Sequence, residues 1–235
     1  MSGKQAVEEA IARLPENQLI PVNTFYHAHL AEQVTEAAYY KALERLCDKG
    51  ILEKAGKGVY YRPKQGRFGP VPLSENEILH YYTADAAGMA VGYTLYNALG
   101  LTTQIPGTVE VYSSRLEQQT KTIRGVRLTR YPLVYGPQAK RMISLLEILH
   151  HYYEMQDLNK GQYLAACKSL AESYSDEVFE AVNTVIRYPK RTIAFLKSVL
   201  DYYGVPNQLS KHLSRLSDYR YPRMEELYEA ARLPQ

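Results

Sequence analysis

The sequence predicts an α+β protein, and three observations carry that prediction. Within residues 1–66, three helical patterns precede a short hairpin pattern with glycines in its turn. Residues 109–130 break into short strand-like pieces, Val109 to Ser113, Thr120 to Ile123 and Val126 to Arg130, split by polar residues and Gly125. Beyond Gly136-Pro137 the pattern is almost purely helical. Helix, helix, helix, hairpin is the order of a winged helix-turn-helix. The expected organisation is therefore a winged helix-turn-helix at 1–66, a small mixed α/β region at 73–136 and a helical C-terminal region at 137–235.

The elements follow in order. Residues 4–14 place Ala6, Val7, Ala10, Ile11 and Leu14 on one helical face, with Pro15 beyond the end. Leu19-Ile20-Pro21 reads as a short extended piece, and Phe25 to Glu32 as a helix behind Thr24 as N-cap. Thr35 caps a third helix in which Tyr39, Ala42, Leu43, Leu46 and Cys47 recur at helical spacing, and Gly50 stops it. Ile51 to Pro63 reads as the hairpin, and 64–73 (KQGRFGPVPL), with two Gly and two Pro, as a linker. Ser74 and Glu77 form a capping box ahead of Ile78-Leu79. A helix is expected from Ala90 to Leu99, ended by Gly100. Met142, Leu145, Leu146 and Leu149 make one C-terminal stripe, and Ile193, Leu196, Leu200 and Tyr203 another, punctuated by Pro189, Pro206 and Pro222.

Composition narrows the function. With 46% hydrophobic and 23% charged residues over 235, the chain is expected to fold with a sizeable core. No apolar run reaches the roughly eighteen residues of a membrane span, and Met1 to Ala12 does not read as a signal peptide. Cys47 and Cys167 lie far apart without metal-ligand spacing, which points to a reducing cytoplasm and against a disulfide framework or a zinc site. The net charge of +3 does not by itself announce a nucleic-acid partner. The 22 Tyr against 4 Phe and no Trp suit helix seams, where the ring is buried and the hydroxyl finds a partner.

A DNA-reading winged helix sets its third helix in the major groove and its hairpin against the backbone. The predicted contacts on the helix are Thr35, Ala37, Tyr40, Lys41 and Arg45, with Glu44 and Asp48 on the same face arguing against phosphate contact. On and after the hairpin, Lys54, Lys57, Arg62, Lys64 and Arg67 are cations with no acid between them, which is the pattern that neutralises phosphates. Lys121, Arg124, Arg127 and Arg130 form a second acid-free run, readable as an extended phosphate-binding face or as a solvated strand edge.

No catalytic constellation is found. Gly56-Lys57-Gly58 lacks the flanking residues of a phosphate loop, His27 and His29 would point to different sides of a helix, and His150-His151 reads as a helix seam. Neither a cofactor nor a metal is expected.

The stretch AAYYKALERLCDKGILEKAGKGVYYRPK at 37–64 resembles the winged helix of AbiE-type (type IV) toxin–antitoxin antitoxins, through Leu43, Leu46, Lys49, Gly50, Gly58, Tyr60 and Pro63. RFGPVP at 67–72 and GYTLYNALGLTTQIPGTVEVYSS at 92–114 resemble the signature of an AbiEi-like subfamily, so the likeness covers roughly residues 17–136. It implies a bacterial antitoxin and transcriptional autorepressor whose winged helix binds inverted repeats in its own promoter. It also implies a nucleotidyltransferase-like toxin as functional partner, neutralised without a stable complex. Such helices carry more arginine than this chain does at Ala37, Glu44 and Asp48. Three other readings of the residues stay open: a winged-helix adaptor for a protein partner, an RNA-binding module using tyrosine-rich surfaces, and an enzyme whose site would be a concave pocket holding perturbed titratable residues.

Overall fold

The structure, a computed structural model, describes residues 3–214 and 217–232. Met1, Ser2, Arg215, Leu216 and 233–235, which the spans 1–66 and 137–235 include, lie outside the described residues. The chain is α+β. It divides into two units, one made of residues up to Tyr81 with Thr122–Val126, the other of Tyr82–Lys121 with the residues from Arg127 onward.

The first unit begins with α1 (Gly3–Ala12), β1 (Leu19–Pro21), α2 (Val22–His29) and α3 (Glu36–Asp48). The expected α2 start behind Thr24 is corrected. Pro21 occupies the N-cap with φ −66°, so the helix starts directly from β1. The Thr35 cap holds: its hydroxyl oxygen accepts from the Ala38 N–H at 3.4 Å. The hairpin of β2 (Glu53–Gly56) and β3 (Val59–Tyr61) pairs with β1 in an antiparallel sheet of order β1-β3-β2.

Val7 and Ile11 of α1 and Tyr39, Leu43 and Leu46 of α3 share a core with Ile20, Phe25 and Leu52. Tyrosines seam the helices together. Tyr26 stacks on Tyr39 at 5.2 Å and donates to the Val34 carbonyl at 2.8 Å, while Tyr39 donates to the Val22 carbonyl at 3.3 Å. Burying each of these rings and leucines is worth about 1.5–3 kcal/mol, provided the hydroxyls stay bonded.

The expected linker at 64–73 is instead a second antiparallel hairpin, β4 (Lys64–Gly66) with β5 (Gly69–Val71). Its turn is Arg67-Phe68, and Gly69 supplies a φ of +111° that a side chain would strain. The helix α4 (Glu75–Thr83) starts with the expected capping box: Ser74 donates from its N–H and its hydroxyl to Glu77, each at 2.7 Å.

In the second unit, β6 (Gly88–Val91) runs into α5 (Gly92–Ala98). The helix expected from Ala90 to Leu99 is therefore corrected: Ala90 and Val91 belong to β6, and Gly92 opens α5 with a φ of +60°. β7 (Val109–Ser113), β8 (Thr120–Ile123) and β9 (Val126–Arg130) fall on the three expected strands, and the sheet order is β6-β7-β9-β8. The helices α6 (Pro137–His150), α7 (Lys160–Ala171), α8 (Asp176–Ile186), α9 (Lys190–Tyr202) and α10 (Met224–Arg232) follow, with a 3-10 turn at Leu209–His212. Every residue of α6 from Met142 to Leu149 is buried, which makes it the central helix. Met89, Val91 and Leu101 share its core with Leu200 and Leu227. The boundary expected at 136/137 therefore runs through one continuous core. Among the described residues, no helix is long and apolar enough to cross a membrane.

Candidate nucleic-acid interface

Because Tyr39, Ala42, Leu43 and Leu46 turn inward, α3 presents Ala37, Tyr40, Lys41, Glu44, Arg45 and Asp48 to solvent. Thr35 stands at the N-terminal end of that face, its oxygen engaged as the cap. Tyr40 is 39% exposed and donates to the Asn23 side-chain oxygen at 2.9 Å, which ties this face to α2. Lys41 and Arg45 are exposed cations.

The β2–β3 hairpin lies against the same helix. Tyr60 of β3 packs on the core, and burial raises its phenol first, followed by Cys47, Glu44 and Tyr40 of α3. Lys54 and Lys57 of the hairpin are exposed. Arg62 is not a free cation: its guanidinium donates to the Ala12 carbonyl at 2.7 Å and to the Leu14 carbonyl at 2.6 Å. Those are the orphaned acceptors at the C-terminal end of α1, where a cation also favours the helix dipole. Lys64 and Arg67 belong to the separate β4–β5 hairpin, where both are exposed. Asn17 fixes its base, accepting from the Lys64 N–H at 3.0 Å and donating to Glu77 at 2.8 Å. Burial works against the Glu77 charge, but Ser74, Asn17 and Lys64 outweigh it and hold the carboxyl below its usual value.

The run Lys121, Arg124, Arg127 and Arg130 does not form one basic face. On a strand, neighbours three apart point to opposite sides. Accordingly Arg127 is exposed between the buried Val126 and Leu128, and it pairs with Glu110 at 3.0 Å. Arg130 has the opposite parity, with its Nε buried. Lys121 is half-buried, and burial lowers its ammonium pKa. Arg124 lies 3.9 Å from Glu53 and donates to the Tyr61 hydroxyl at 3.3 Å, while Tyr61 donates to Glu53. Arg124 and Arg127 are thus paired with carboxylates of this chain.

The signature at 92–114 is likewise built into the structure. The Thr102 hydroxyl donates to the Gln156 carbonyl at 2.9 Å and accepts from the Gln104 N–H at 3.2 Å. Asn97 donates to the Gln104 carbonyl at 2.9 Å, and Gln104 reaches the Asp157 carboxylate. This is a pinned corner.

Sequence reasoning did not single out the carboxylate of Glu147, which is 1% exposed inside α6. Tyr188 and Tyr112 donate to it at 2.6 and 3.1 Å, and the His151 Nε2 lies 3.7 Å away. Burial raises this carboxyl, against the lowering effect of those partners. His150 bonds Thr192 at 2.9 Å, and burial lowers its imidazole. Burial also pushes the Cys167 thiol up to about 12. Both cysteines are free thiols. His27 lies against Tyr26 and His29 against Phe25, so the two histidines face different rings.

Fold and site define an α+β protein whose first unit joins an exposed, partly basic helix face to a hairpin with two exposed lysines. The chain belongs to a family of unknown function, DUF6088, whose model matches residues 6–126, just over half of the 235. Among solved structures, the crystal structure of RV2827C protein from Mycobacterium tuberculosis is similar over 87% of this chain and 78% of that one, at 16% identity and a TM-score of 0.42. No curated protein matches the chain.

Proposed function

We propose that the first unit is a winged helix-turn-helix that binds double-stranded DNA, and that the protein is a cytoplasmic transcriptional regulator of its own promoter. The observation that carries this reading is the joint exposure of Lys41 and Arg45 on α3 and Lys54 and Lys57 on the adjoining hairpin. A helix face of that kind enters a major groove while the hairpin cations meet phosphates. The resemblance at 37–64 and 92–114 supports an antitoxin role toward a nucleotidyltransferase-like toxin. The reading involves no catalysis and no cofactor.

The test is a salt titration of affinity for the upstream duplex and for random duplex. With Arg62 engaged internally, Arg45, Lys54, Lys57, Lys64 and Arg67 remain as phosphate partners. About five neutralised phosphates give a log–log slope near −4 to −5. A slope near zero rejects the reading. In cells poisoned by a nucleotidyltransferase-like toxin, co-expression of this chain should restore growth, and failure to do so removes the antitoxin half.

The exposed Glu44 and Asp48 on the same face favour one other reading, an adaptor for a basic protein surface. Binding to that partner without salt-sensitive duplex binding would select it.

A further inference from the structure

The β4–β5 hairpin carries side chains that its own unit leaves unused. Gly66 and Gly69 pair across the ladder and leave Arg67 and Phe68 alone at the tip. Phe68 is 96% exposed, and the Arg67 guanidinium carbon lies 5.7 Å from its ring centroid. A large aromatic ring so fully in water, at the end of a narrow hairpin and beside a guanidinium, is placed to stack on a flat counterpart outside this chain. The charge around it names the chemistry of that counterpart. From Lys54 through Leu73 there is no Asp or Glu, while Arg67 lies beside the ring and the exposed Lys64 stands at the base of the same hairpin. Glu77, which faces Lys64, is already engaged by Ser74 and Asn17.

A surface that is anionic outside and flat and aromatic within complements this tip, and duplex DNA is such a surface. Proteins that bend DNA insert a Phe between base steps from the minor groove while cations hold the backbone. We propose that Phe68 is an aromatic wedge that stacks on a base step of the bound duplex, with Arg67 and Lys64 on the flanking phosphates. This rests on the duplex-binding reading above and adds a second point of attachment, distinct from α3 and the β2–β3 hairpin.

The chain has no Trp, so Phe68→Trp supplies a single indole fluorophore at the tip. Adding the upstream duplex should quench it and shield it from acrylamide. Phe68→Ala should weaken duplex affinity about tenfold or more, as expected for the removal of a base–aromatic stack. Its salt slope should stay that of wild type because no charge is removed, whereas Arg67→Ala should lower the slope by roughly one. Both variants should melt like wild type, since the ring is exposed. An indole that stays open to acrylamide in the Phe68→Trp complex, with Phe68→Ala binding as wild type does, overturns the wedge and leaves duplex binding intact. A wild-type chain that fails to bind duplex overturns both.

Discussion

Arg62 and Lys57 belong to one basic run in the sequence, yet their surroundings give them different roles. Arg62 satisfies the Ala12 and Leu14 carbonyls at the end of α1, whereas Lys57 is exposed at the turn of the β2–β3 hairpin. Arg62→Ala removes two charge-assisted hydrogen bonds and should destabilise the first unit by about 1–3 kcal/mol. Lys57→Ala should leave the melting temperature unchanged and lower the salt slope of DNA binding by roughly one. Thermal melts and duplex titrations on the two variants separate these roles, and an Arg62→Ala melt equal to wild type would contradict the capping assignment. Glu147 is the corresponding case in the second unit. Its carboxyl is raised above 4.5 chiefly by burial, so the folded chain holds that proton more tightly than the unfolded chain does. The stability it contributes is full below about 4.5 and is lost as pH rises through the raised folded value. Glu147→Gln keeps an oxygen to accept from Tyr188 and Tyr112 and removes the titration. Wild-type stability should therefore fall relative to the variant as pH rises from about 4.5 through the raised folded value. Melts across that range that keep a constant difference would show that Glu147 does not titrate there.

At the scale of elements, what the sequence made legible depended on period and length. α3 and the strands β7, β8 and β9 carry clear 3.6- or two-residue patterns and sit where those patterns place them. The β4–β5 hairpin was hidden because its Gly and Pro content is also that of a linker, and only the pairing of Gly66 with Gly69 tells the two apart. β6 was hidden because Gly88–Val91 is short and runs straight into the apolar start of α5. The basic residues of α3 and of the β2–β3 hairpin were readable as exposed charges. The internal partners of Arg62, Arg124 and Arg127 were not, because Ala12, Glu53 and Glu110 are distant in sequence. Within the candidate site, the roles of helix and hairpin can be separated. Lys41→Ala on α3 should narrow the affinity gap between upstream and random duplex, at about 1–3 kcal/mol for each base-edge interaction removed. Lys57→Ala should weaken both duplexes equally. Parallel weakening for the helix variant together with altered preference for the hairpin variant would reverse the assignment of groove and backbone.

For the whole molecule, the relevant fact is that burial collects into two separate cores. One gathers Val7, Ile11, Tyr39, Leu43 and Leu46, and the other extends from Met89 to Leu227 across the middle and C-terminal segments. Local periodicity shows that a residue is apolar but not which distant apolar residue it meets. That is why 73–136 and 137–235 look separable in sequence and share a core in the structure. The same fact limits where the chain can be cut. A fragment ending near Arg67 would split the β4–β5 ladder and discard Glu77, the partner of Asn17, along with Arg124, the partner of Glu53. Two cores should give two unfolding transitions, since cooperativity follows continuous packing. Leu46→Ala opens a cavity in the first core, and Leu146→Ala opens one in the second. Each should cost about 2–5 kcal/mol in its own unit. In calorimetry, Leu46→Ala should move one transition and leave the other in place, while Leu146→Ala should do the converse. A single transition that shifts with both substitutions would mean that the two cores unfold as one cooperative unit. The duplex should sort the transitions as well: a saturating upstream duplex should raise only the transition that Leu46→Ala lowers, because a ligand stabilises the unit that binds it.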